Sequence, residues 1–118
     1  MDQTEFVQVI KKVVTDSTIR SIEELIREPP GRMPQKKLIE LSNWFKTLSE
    51  DDKKWLREII KDTASSSVFS FLCVLDGVKA IEAGGNKGKL LLYYERDGEQ
   101  TLINDFDKEL LHDIYNSL

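Results

Sequence analysis

Residues 68–82 read VFSFLCVLDGVKAIE, and the folding of this stretch decides the architecture. Eight nearly apolar residues run into Asp76-Gly77, and apolar residues then resume. The stretch is either a buried strand closed by a turn or a buried helix carrying an aspartate and a glycine. Leu56, Ile60, Thr63, Ser67, Phe71, Val74, Val78 and Ile81 recur every three or four residues through it, which is helical spacing. A strand at 68–75, which valine and phenylalanine favour, would need a turn among Thr63–Ser67 and would abandon that phase. The spacing therefore predicts one long central helix over about 50–83.

Small residues fall on a neighbouring face at the same spacing: Thr63, Ser66, Ser70, Cys73, Gly77, Ala80 and Gly84. Such a ridge lets another element approach closely, which would offset the weak helix propensity of Gly77. The start of the helix is marked by SEDD at 49–52: Ser49 as N-cap, then three acids where the helix dipole favours them. Gly84 or Gly85 supplies the expected left-handed cap at its end. Phe69, Leu72 and Leu75 extend the apolar surface almost around the helix, so its second half is expected at the centre of the domain.

Outward from this helix, Phe6, Val9, Ile10 and Val13 share one face, and Ile22, Leu25 and Ile26 share a rotated one. The switch falls at TDST, residues 15–18, and predicts two helices or one kinked helix over 4–28. EPPGRMP at 28–34 breaks the helix, and Pro34 suits the first position of the next one, which carries Leu38, Leu41, Phe45 and Leu48. After AGGNKGK, residues 89–103 predict a β-hairpin turning at Asp97-Gly98. Asp105 or Asp107 then opens a final helix. The fold class is α+β, mainly α: four or five helices around the long one, in a single domain of residues 1–118.

The chain has 118 residues, with 17 basic and 21 acidic side chains and a net charge of −4. That balance gives no electrostatic footprint for nucleic acid. No apolar stretch approaches the roughly 20 residues of a membrane helix, and no signal peptide is visible at the N-terminus. The single cysteine, Cys73, points to a reducing compartment and reads as a buried structural thiol. The expected location is cytoplasmic, the expected partners exclude nucleic acid and membrane, and no cofactor or metal is expected.

Asp76 is the one candidate pocket acid, since a carboxylate among apolar groups can acquire a raised pKa and an acid–base role. The competing reading has it paired with Lys79 or an arginine, or capping another element's amides. GGNKGK fails as a phosphate loop, because Ala83 and Leu90 stand where glycine and Ser or Thr are required. NDFDKE at 104–109 fails as a calcium loop in both registers. His112 has no second histidine to share a metal and reads as a surface side chain; its neighbour Asp113 would not face it on a helix. Arg32, Lys36 and Lys37 read as a solvated basic cluster. Trp55, Tyr93 and Tyr94 are the candidate partner-binding residues, with Trp44 beside them.

WFKTLSEDDKKW (44–55), SSVFSFLCVLDGVKAIE (66–82) and GKLLLYYERDGEQTLIND (88–105) together resemble a group of small bacterial proteins of unknown function. The resemblance covers about residues 44–105. It implies a bacterial, cytosolic origin and a mixed helix-plus-hairpin fold, and it implies no activity. In size and charge the chain is also similar to immunity proteins that neutralise toxins. Three functions follow in order of expectation. The first is a protein-interaction module, immunity-like or pairing with a second copy of itself. The second is a small-molecule binder or enzyme with a pocket near Asp76. The third is a nucleic-acid binder, which would need a basic face.

Overall fold

The computed structural model describes residues 1–118. Its elements run α1 (Gln3–Ile10), a π-helical segment (Lys11–Asp16), α2 (Ser17–Arg27), α3 (Lys36–Thr47), α4 (Glu50–Leu75), β1 (Tyr93–Arg96), β2 (Glu99–Leu102) and α5 (Leu111–Asn116). The architecture is the expected mainly helical α+β fold with a long helix and a C-terminal hairpin.

Residues 3–27 form one continuous helix with a π segment near the place where the apolar face was seen to rotate. Extra residues per turn shift every later side chain around the axis. Val7 is thereby buried before the segment and Thr15 within it. Beyond it the half-buried positions of α2 are Ser17, Ile19, Glu23, Leu25 and Ile26. Asp2 starts this helix by accepting the Glu5 amide at 2.8 Å.

Helix α4 begins as the sequence indicates, with the Ser49 hydroxyl accepting the Asp52 amide at 3.1 Å. It ends eight residues before the expected 83. Gly77 has φ +74°, its N–H reaches the Val74 carbonyl at 3.1 Å, and the Val78 N–H reaches the Cys73 carbonyl at 3.1 Å. This is a Schellman cap with Gly77 in its left-handed position, so Gly77 ends the helix and is no part of a packing ridge. The apolar spacing that ran on to Val78 and Ile81 carries no burial; those residues are 57% and 62% exposed.

Residues 76–92 are turns and loop leading into the hairpin. Asp97 and Gly98 have φ of 54° and 80°, the doubly positive pair of a type I′ turn, and Tyr93 pairs with Leu102. The last helix starts at Leu111, not at Asp105 or Asp107. Those acids belong to a turn in which Asp105 accepts the Asp107 amide at 3.0 Å.

The buried core consists of Val7, Leu72, Leu75, Ile103, Leu111, Ile114 and Tyr115, with Phe6, Val68, Phe69, Leu92 and Tyr94 packed on it. It therefore sits where α1, α5 and the hairpin meet the second half of α4. The first half of α4 packs on α2 and meets α3 where the Lys53 ammonium lies over the Phe45 ring, and α2 in turn carries α3. Along that arm α2 has no buried residue and α3 has only Ser42. The molecule measures 51 × 37 × 27 Å with a radius of gyration of 18.6 Å, against about 13.5 Å for a compact chain of this length.

Candidate functional site

Two regions hold the chemistry. The first is the junction between the end of α4 and the start of α5. Asp76 is the C-cap residue of α4, and its side chain is 1% exposed. One carboxylate oxygen accepts the Leu111 N–H at 3.0 Å. The other accepts the His112 N–H at 2.8 Å and lies 2.6 Å from the His112 Nδ1. Two of the amides that α5 cannot satisfy internally are thus capped from another element. Of the alternatives for Asp76, amide capping is the one the geometry draws. Lys79 turns instead to the Ser70 hydroxyl.

His112 is not the surface side chain expected. Its side chain is 16% exposed, its ring meets Phe69 edge-on at 5.7 Å, and its Nε2 lies 3.4 Å from the Asp113 carboxylate. Both ring nitrogens thus face carboxylates. Cys73, one turn before Asp76, has its thiol pKa raised above the usual value, first by burial and then by the Asp76 charge, with Asp113 adding to it and Lys79 opposing. A protonated thiol is a poor nucleophile. What the geometry shows at this junction is fastening, with Asp76 holding both the α5 amides and the His112 ring.

Asn104 completes it. Its amide donates to the carbonyls of Leu75 at 2.7 Å and Leu90 at 2.8 Å, and its oxygen accepts the Leu92 N–H at 2.8 Å. One side chain, 2% exposed, joins the end of α4, the long loop and the hairpin. A parallel link ties Tyr115 to Thr15 at 2.7 Å and to Ser65 at 3.2 Å. In the sequence Asn104 stands out only as the first position of a failed calcium loop, and Thr15 only as part of the TDST switch. The available signal was a polar residue directly after the apolar end of a strand.

A cleft of about 400 Å³ lies beside Asp76, walled by Gly77, Lys79, Lys87, Lys89, Leu90 and Phe106 among others. The Asp76 carboxylate is engaged with α5, and the other charged groups lining the cleft are Lys79, Lys87, Lys89 and Glu82. No cluster of three or more His, Cys, Asp or Glu side chains could hold a metal ion, and no helix is long and apolar enough to cross a membrane.

The second region is the bare face of α4. Trp55 and Ile59 are 63% and 62% exposed on it, and Phe71, about 160° further round the helix, is 60% exposed. Thr63 and Ser66 of the small-residue ridge lie exposed on the same side, while Ser70 is half-buried with the Lys79 ammonium on its hydroxyl. Between α2 and α4 this face continues into an apolar groove of about 380 Å³ that includes Val14, Ile22, Ile59 and Val68. Of the expected partner-binding residues, Tyr93 is 49% exposed, while Tyr94 packs on the core. The hairpin is fastened to the end of α4 by Asn104, and Trp55 lies 20 residues back along that helix, about 30 Å away. Trp55 and the tyrosines therefore form separate surfaces.

No protein-family model matches this chain, and neither a curated protein nor a solved structure matches it.

Proposed function

We propose that the chain is a protein-interaction module, immunity-like in size and charge, whose working surface is the apolar face of α4 and the groove beside it. The observation that carries this reading is the amount of apolar surface left bare. Trp55 and Ile59 on α4 are more than half exposed and adjoin the groove that includes Val14 and Ile22, whereas only 12 of 118 residues are buried. Contiguous apolar faces on a folded chain mark sites that another protein covers. Tryptophan is the side chain most able to anchor such a contact.

Small-angle scattering on the monomeric fraction, together with dye binding, tests the proposal. The expected result is a radius of gyration near 18.6 Å and native-state binding of a hydrophobic dye, reduced by Trp55→Ser or Ile59→Ser. A compact monomer near 13.5 Å that binds no dye overturns it.

A further inference from the structure

Helix α4 spans 26 residues, about 39 Å. Trp55, Ile59, Thr63, Ser66 and Ser70 fall within an arc of about 80° around it. That arc lies opposite Val68, Leu72 and Leu75, which face the chain's own core. Along the arc the bulky side chains occupy the first half and the small ones the second. Charge also differs between the two ends, although Lys53 pairs with Glu50 at 3.4 Å. Glu50, Asp51 and Asp52 stand in the first turn, and Lys79, Lys87 and Lys89 stand in the loop beyond the last.

We propose that this face is covered by a second copy of the chain, with the two α4 helices antiparallel about a two-fold axis near Thr63. The pairing rests on the interaction-module reading above and names its partner. In this arrangement Trp55 and Ile59 of each copy meet Ser66, Ser67 and Ser70 of the other, so large side chains fill the space left by small ones. Each acidic first turn meets the other copy's lysine loop. A parallel pair would instead set acids against acids and bulk against bulk. The contact is isologous and closes on itself, as a two-fold dimer requires. A strip about 39 Å long and about 20 Å wide, including the rim of α2, covers about 800 Å² per copy, the share of a standard interface.

Light scattering over a range of concentrations, followed by cysteine cross-linking, tests the pairing. In a Cys73→Ser background, Thr63→Cys is expected to form a disulfide with its own counterpart, because only a residue at the axis brings two equivalent Cα atoms within bonding distance. Trp55→Cys alone is expected to stay reduced, and Trp55→Cys combined with Ser70→Cys to cross-link. Ile59→Glu is expected to shift the dimer toward monomer at least tenfold while leaving the circular dichroism unchanged. Cross-linking through Trp55→Cys alone, failure of Thr63→Cys in a dimeric protein, or a dimer indifferent to Ile59→Glu overturns the pairing. An elongated, dye-binding monomer at every concentration also overturns it but leaves the interaction reading standing. A compact monomer without dye binding removes both.

Discussion

Asn104 shows how much one buried side chain can carry. Replacing it with alanine strands the Leu75 and Leu90 carbonyls and the Leu92 N–H together. The Leu75 bond is buried and the other two are part-buried, and an unmet buried group costs about 1–3 kcal/mol, so Asn104→Ala is expected to lose about 2 kcal/mol in urea titration. Asn104→Asp keeps the acceptor but sets a negative charge against two carbonyls, and is expected to be no better. Cys73 makes a second test at this scale. Its thiol pKa is raised above the ordinary value of 9.0, so alkylation of the native protein at pH 8 is expected to be severalfold slower than in denaturant. The sign of the linkage follows. The folded state holds the thiol proton more tightly than the unfolded state does. That contribution is intact below about pH 9 and lost as the pH rises through the raised value, so stability falls on the alkaline side.

At the scale of elements, the start of α4 was legible and its end was not, for a physical reason. Ser49 and three acids are local signals, and local signals suffice to begin a helix. The end was set by Gly77, whose role depends on whether its backbone turns left-handed, and periodicity carries no information about that. Apolar spacing ran on through Val78 and Ile81 because the loop is itself apolar, not because it is helical. The same limit hid the start of α5. Its cap comes from Asp76, 35 residues earlier in the chain, and no neighbouring residue announces it. The Asp97-Gly98 turn was readable because both required conformations are written in those two residues. Gly77→Ala separates the two roles proposed for that glycine. A Cβ there would meet only Phe106, at an ordinary 3.6 Å. The loss is therefore the left-handed backbone strain of about 1–2 kcal/mol. A helix-interior glycine would instead gain about 1 kcal/mol on the same substitution, so the sign of the change in urea midpoint distinguishes them.

The whole molecule distributes its charge as unevenly as its burial. Residues 93–118 hold seven acids against two bases, so this C-terminal stretch is more negative than the entire chain. Like charges packed within a Debye length repel, and salt screens them. The melting temperature is accordingly expected to rise between low and moderate ionic strength; a fall would mean that attractive pairs dominate. The four Lys–carboxylate pairs with N···O distances of 3.4–3.9 Å are all in residues 11–61 and leave that terminal charge uncompensated.

The arm built from α2 and α3 has a kinetic consequence. Amides of Leu92, Ile103, Leu111 and His112 are locked into the core junction, so their hydrogen exchange is expected to require global opening. Those of α2 and α3 rest on half-buried side chains and can exchange through local opening at lower free energy. The surface that most needs covering is thus flanked by the helices least able to hold still. An occupant would be visible first as slowed exchange in α2, before any change reaches the core.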